Sequence, residues 1–329
     1  MEQERRALRI GLTVILIGTL FRLLGSGLLS PLLEFFTDPK VTSFLIYLET
    51  GRVVRPLPPE SEEPSLPEET QNVLATTPEL PAVTFTEEDA DYLQLYKACS
   101  LTFDEESLLL SELNWNLRGE TPTVLILHSH ATECYTKTTE AYDDSYYRTK
   151  DENYNMVRIG DQVAQLLEEA GIRVIHDRSL HDSPSYLGSY DNSRASALRY
   201  LEQYPSIVLV LDLHRDAADV SGGQLDTSAI VNGQESAQLM LVVGSNAGGQ
   251  LHPNWQQNMA IAEKLHVTLE KQNPGICRPL LFRQQRFNQD ILPGALLVEV
   301  GAAGNTLSEA LLAAEALAEA IITLAGGAN

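Results

Sequence analysis

Two histidines and a glutamate, His128, His130 and Glu133, crowd in behind the apolar run Val124–Leu127. A second apolar run ends in LDLHRDA, which supplies Asp212, His214, Arg215 and Asp216, and a third, ALLVEV, carries Glu299. A charged group at the end of an apolar strand is costly unless it is paired or bound to a cation. Two imidazoles and a carboxylate fill three of the four positions of a tetrahedral zinc centre and leave the last to water. The His130-x-x-Glu133 spacing lets both side chains reach one ion from a turn or a first helical turn, with His214 arriving from a neighbouring strand. Glu299 then stays off the metal and takes the proton from water. The ion polarises a carbonyl and makes hydroxide available near neutral pH, an arrangement that cleaves peptides or amides. His128 stands either as a ligand in place of His130 or as a group that orients it. The competing view makes His130 and His214 ordinary core histidines and pairs Glu299 with an arginine; the joint placement on three strand ends argues against it.

Around these residues the sequence offers weaker candidates. Arg215 is suited to a peptide carboxylate by its planar fork, or equally to a structural pair with Asp212 or Asp216. Asn288 precedes the last strand and is a candidate for the cleft wall or for a loop turn. Cys134 reads as a small packing residue, and His176, His181, His252 and His266 as structural.

The positioning elements follow from periodicity. Val124–Leu127, Ile172–Ile175, Ile207–Leu213, Leu239–Val243 and Ala295–Val300 read as buried strands. Tyr154–Ala170, Ser193–Tyr204, Asn258–Gln272 and Thr306–Leu324 read as helices, the last opened by a Thr306/Glu309 capping box. Ile230–Val231, Asn232-Gly233 and Leu239–Val243 suggest two strands near a turn. Alternating strand and helix predict a single α/β domain over residues 106–329, with a largely parallel, twisted sheet between helix layers. Ligands of such sheets sit at the carboxyl ends of strands, where the polar residues cluster.

The rest of the chain is of other materials. The chain has 329 residues and a net charge of −22, which argues against a nucleic-acid partner, since a basic face is needed to displace counterions. Arg5, Arg6 and Arg9 precede the apolar run Ile10–Phe21. This predicts a signal anchor over residues 1–35, read as uncleaved with a cleaved secretory signal as the alternative, with the remainder outside the cytoplasm, single-pass in the cell membrane. Residues 36–105 include RPLPPESEEPSLPEETQ and similar stretches, too poor in apolar surface to offset chain entropy, and read as an extracytoplasmic spacer.

The stretches LILHSHATECY, NYNMVRIGDQVAQLLEEAGIRVIHD, SLHDSPSYLGSYDNSR, LDLHRDA, FNQDILPGALLVEVG and NTLSEA, in this order, resemble the stage II sporulation protein P family over roughly Glu106 to Ala325. The resemblance implies a membrane-anchored, zinc-dependent N-acetylmuramoyl-L-alanine amidase that also cuts peptide cross-links of peptidoglycan. It implies a fold similar to the zinc amidases and carboxypeptidases, and the site His130, Glu133, His214 and Glu299. It further implies a lytic transglycosylase partner, stage II sporulation protein D, during engulfment. The chain departs from the family pattern in reading HSH for HTH and in placing Cys134 where a serine is usual. Two other functions remain in view: a zinc carboxypeptidase-like peptidase, and a non-catalytic wall-binding scaffold that keeps the fold.

Overall fold

Every strand of a packed sheet shows alternate side chains to opposite faces, and here the two faces have different work. The computed structural model describes residues 83–113, 115–136, 147–217, 219–220 and 223–326. Within them, strands β1 (Leu95–Lys97), β2 (Val124–Leu127), β3 (Val174–His176), β4 (Leu209–Asp216), β9 (Leu239–Val243), β10 (Leu280–Phe282) and β11 (Ala295–Ala302) form one seven-stranded sheet. Its order is β1-β10-β9-β11-β4-β2-β3, parallel throughout except where β9 meets β11. The expected largely parallel α/β architecture is present.

One face carries Val124, Ile126, Leu209, Leu211, Leu213, Val298 and Val300, all buried in the main core. Helices α2 (Met156–Glu169), α4 (Trp255–Gln272) and α5 (Leu307–Leu324) cover it. Burial at such positions contributes roughly 1.5–3 kcal/mol per large aliphatic side chain. In α2 the buried residues Met156, Ile159, Val163 and Leu167 recur at helical spacing. The Asn155 side chain caps the helix by accepting from Val157 N at 2.9 Å, and Gly171, at φ 81, takes the left-handed position after its end.

The opposite face is covered more sparingly. Helix α3 (Ser189–Gln203) packs there on Leu125, Leu127, Val210 and Ala295. A separate small cluster, Met240, Val242 and Leu297, has among the described residues only the partly buried Leu281 and Phe287 packed against it. By alternation Asp212, His214 and Glu299 belong to this thinly covered face.

Two expectations need correction. Residues 83–105 do not all belong to a spacer, because β1 pairs in parallel with β10 and Phe85, Leu95, Leu101 and Phe103 pack on the main core. A three-residue edge strand beside an acidic, proline-rich stretch leaves no periodic signal. Asn232-Gly233, both at positive φ, joins β7 (Ser228–Val231) to β8 (Gln234–Ala237), and Leu239–Val243 leaves that hairpin for the main sheet. The anchor at 1–35 and residues 36–82 of the spacer lie outside the described residues. Among the described residues no helix is long and apolar enough to cross a membrane.

The Thr306/Glu309 capping box is present: Thr306 N donates to Glu309 Oε2 at 3.0 Å and Glu309 N to Thr306 Oγ1 at 3.3 Å. Thr306→Ala is expected to destabilise the protein by about 1 kcal/mol, lowering Tm by roughly 3 °C; calorimetry on the variant and the parent checks this.

Candidate metal centre

The carboxyl ends of β2 and β4 are neighbours, and β11 lies on the far side of β4 with Glu299 directly opposite His214. Beyond β2 the chain turns through Ser129–Thr132, and Glu133 N donates to His130 O at 3.1 Å, folding the two side chains back on one another. His130 Nδ1 lies 3.2 Å from Glu133 Oε1, and His214 Nδ1 lies 3.5 Å from Glu133 Oε2. One ligand atom from each of His130, Glu133 and His214 falls within 4.8 Å of the others, and all three residues are buried. Ligand atoms around a tetrahedral ion with bonds of about 2.1 Å stand roughly 3.4 Å apart, so the set is of the right size for a metal.

The other nitrogen of His214, Nε2, faces Asp212 Oδ1 at 3.0 Å. Asp212 in turn accepts from Ser129 N at 2.7 Å and from Ser129 Oγ at 2.6 Å, so one buried carboxylate ties the start of the β2 turn to the histidine of β4. A carboxylate behind a ligating imidazole fixes its orientation and raises its basicity. Burial alone would lower the pKa of His214, but Asp212, Tyr190 and Glu133 outweigh it and hold the ring well above its usual value. Glu133 is likewise opposed by burial, yet its contacts with His130 and His214 and the nearby Arg215 charge keep it well below the usual carboxylate range.

Glu299 is different. Burial lifts its pKa to about 8, with the neighbouring Glu133 and Asp216 charges adding to the effect and His214 opposing it. Among the described residues its buried Oε2 has no hydrogen-bond partner. Such an atom carries a desolvation penalty that a ligand or a proton relieves.

The structure does not bring His128 to this cluster. Its Nδ1 lies 3.1 Å from Leu213 O and its Nε2 2.9 Å from His176 Nε2, so both nitrogens are engaged on the main-core side of the sheet. Gly160 of α2 packs so closely that a Cβ there would collide with both rings. Burial lowers the His128 pKa to about 3. Of its two expected roles, ligand or support, the geometry leaves it to brace β4 just before His214.

Arg215 pairs with neither Asp212 nor Asp216. Its Nε donates to Cys134 O at 2.9 Å and its NH2 to Tyr147 O at 2.8 Å, and its backbone N donates to Glu133 Oε2 at 3.3 Å. It therefore holds the loop that carries Glu133. Asn288, at φ 58, donates from Nδ2 to Tyr190 O at 2.6 Å, supporting the start of α3 and staying outside the lining of the main cleft. Asp212 stands out in the sequence at the end of its strand but without a role at the centre, and Arg148, Tyr186 and Tyr190 do not stand out there. Arg148 bridges Glu133 at 3.2 Å and Asp182 at 2.7 Å, and Tyr186 stacks on His130 with centroids 4.5 Å apart. The LDLH spacing carried the signal for Asp212, since residues two apart on a strand share a face.

His130, Glu133, His214 and Glu299 lie at one end of a cleft of about 590 Å³ that runs across β11, β9 and β10. An open face of this size with convergent polar groups is the usual form of a small-ligand or peptide site.

Comparison with known proteins bears on what this cleft belongs to. A curated stage II sporulation protein P of Bacillus subtilis (strain 168) is 30% identical over 212 residues, which is 61% of this chain and 50% of that protein. The match thus spans half the length of the relative. Among solved structures, an N-acetylmuramoyl-L-alanine amidase AmiC2 of Nostoc punctiforme overlaps with a TM-score of 0.37 at 17% identity, covering 63% of this chain and 97% of that one. An N-acetylmuramoyl-L-alanine amidase from Clostridium difficile 630 overlaps with a TM-score of 0.38 at 19% identity, covering 63% and 95%. The profile of the stage II sporulation protein P family matches residues 58–322, most of the chain. The chain belongs to the stage II sporulation protein P family.

Proposed function

We propose that the protein is a zinc-dependent peptidoglycan hydrolase that cleaves the amide between N-acetylmuramic acid and L-alanine, and also peptide cross-links. The observation that carries this reading is the closed group His130, Glu133 and His214 with the partnerless buried Glu299 Oε2 facing the same cleft. The donor set fits zinc: two imidazoles and a carboxylate, one imidazole backed by a second carboxylate. His130, Glu133 and His214 would hold the ion, which would supply Lewis acidity, polarising an amide carbonyl and acidifying water. Glu299 accepts the proton of the attacking water at Oε2 and returns it to the leaving amine. Burial raises the pKa of this carboxyl, which favours its holding the proton between the two transfers. Asp212 keeps His214 turned toward the site, and Arg215 and Arg148 hold Glu133 in place. Tyr186 stacks on His130 and has the Arg148 guanidinium 4.7 Å from its ring centre, so it packs the rim of the site.

An anchored, extracytoplasmic position is part of this proposal. It rests on the arginines ahead of the apolar run Ile10–Phe21 and on the acidic spacer. A lytic transglycosylase of the stage II sporulation protein D kind is the partner that the family membership supports.

His214→Ala is expected to lose zinc and turnover together, whereas Glu299→Gln keeps zinc at parental stoichiometry and loses turnover of purified wall by at least ~100-fold. Metal analysis alongside a wall digest read by mass spectrometry checks both. If Glu299→Gln digests wall at the parental rate, its role as proton acceptor is wrong. Release of intact stem peptide identifies an amidase, and release of single terminal residues a carboxypeptidase. Asp212→Ala should weaken zinc binding by about 10–100-fold, measured by competition with a chelator.

A further inference from the structure

The cleft extends well beyond the metal cluster, and its far half has a character of its own. Its floor is the apolar cluster of Met240, Val242 and Leu297, with Leu281 beside it. Four arginines lie in or against the cleft and its metal end, and three are occupied. Arg148 bridges Glu133 and Asp182, Arg215 is bonded to the carbonyls of Cys134 and Tyr147, and Arg278 pairs with Asp216 at 2.6 Å. The fourth, Arg283, is exposed at the end of β10, and its guanidinium has no carboxylate within ion-pairing distance among the described residues. The guanidinium lies 5.9 Å from the centre of the Phe287 ring.

The strand register fixes where Arg283 stands. Glu299 lies opposite Met240, and Val242, two residues on, lies opposite Leu281, with Arg283 two residues beyond. Two strand spacings of ~4.8 Å and four residues of ~3.3 Å put the two Cα atoms roughly 16 Å apart, with both side chains on one face. After the reach of the side chains, an extended peptide at ~3.3–3.6 Å per residue spans the gap in about three to four residues.

We propose that the cleft beyond Glu299 seats an acidic, extended peptide, and that Arg283 binds a carboxylate about three to four residues from the cleaved bond. This rests on the amidase reading and names the part of the substrate that this half of the cleft recognises. The apolar floor takes the small aliphatic side chains between, and the guanidinium of the exposed Arg283 meets a carboxylate at the far end of the cleft.

The test uses the full chain loaded with zinc and two synthetic muramyl tetrapeptides, with the carboxylates of residues three and four either free or amidated. The parent is expected to prefer the free acid in kcat/KM by about 10-fold, the size of one ionic hydrogen bond at a partly exposed site. Arg283→Ala should bring the ratio close to one through KM, Arg283→Lys should keep part of it, and Arg173→Ala, remote and paired with Glu168, should leave it at the parental value. Calorimetric titration of the acid tetrapeptide into the metal-free chain gives a second readout, expected to weaken about 10-fold in Arg283→Ala. Equal handling of the two peptides by the parent, or a preference that survives Arg283→Ala, overturns the assignment of Arg283 alone. Failure of the parent to cleave either peptide overturns the amidase reading and this assignment with it.

Discussion

Asp212 carries a carboxylate into the buried edge of the sheet, where little water reaches it, and three groups compensate it. Ser129 gives it a backbone N–H and a hydroxyl, and His214 sets Nε2 at 3.0 Å from it. An uncompensated buried charge costs several kcal/mol, so these contacts hold or fail together. Because Ser129 opens the turn that ends in Glu133, and His214 lies opposite Glu299, one carboxylate fixes the relation of three strand ends. The grouping of His130, Glu133 and His214 is a consequence of that fixed relation. The same burial that makes Asp212 demanding lifts the pKa of Glu299, which has no comparable partner. Two carboxylates on one face are thereby driven to different protonation behaviour by what surrounds each.

The division of labour between the faces explains why the site sits where it does. The main-core face is closed by α2, α4 and α5. The other face is covered by α3 over β2, β4 and the start of β11, and beyond Glu299 its apolar residues border the cleft. A mixed sheet contributes to this: β9 runs against β11, so the N-terminal end of β9 with Met240 is brought level with Glu299. An all-parallel sheet would have placed the other end of that strand there.

Much of this was legible in the residues. The apolar runs of β2, β4 and β11 announce buried strands, and Thr306 and Glu309 mark a helix start by the chemistry of their side chains. The polar residues at the strand ends announced the site because apolar strands rarely end so expensively. His128 against His130 was not legible. Strand alternation would put both on the Ile126 face, and His128 keeps to it; the turn at Ser129–Thr132 breaks the alternation and swings His130 to the other side. A turn of that kind depends on Ser129, Asp212 and Arg148, which are distant in sequence. The start of the fold before residue 106 was hidden because a short edge strand is stabilised by its neighbour and leaves no run of its own.

The measurement that bears most directly on the central claim is anomalous diffraction at the zinc edge from crystals of the zinc-loaded protein. The account predicts a single strong peak enclosed by His130, Glu133 and His214, with Glu299 beside it and at no ligating distance. A peak held instead by His128 and His176, or no peak in the cleft at saturating zinc, would contradict it.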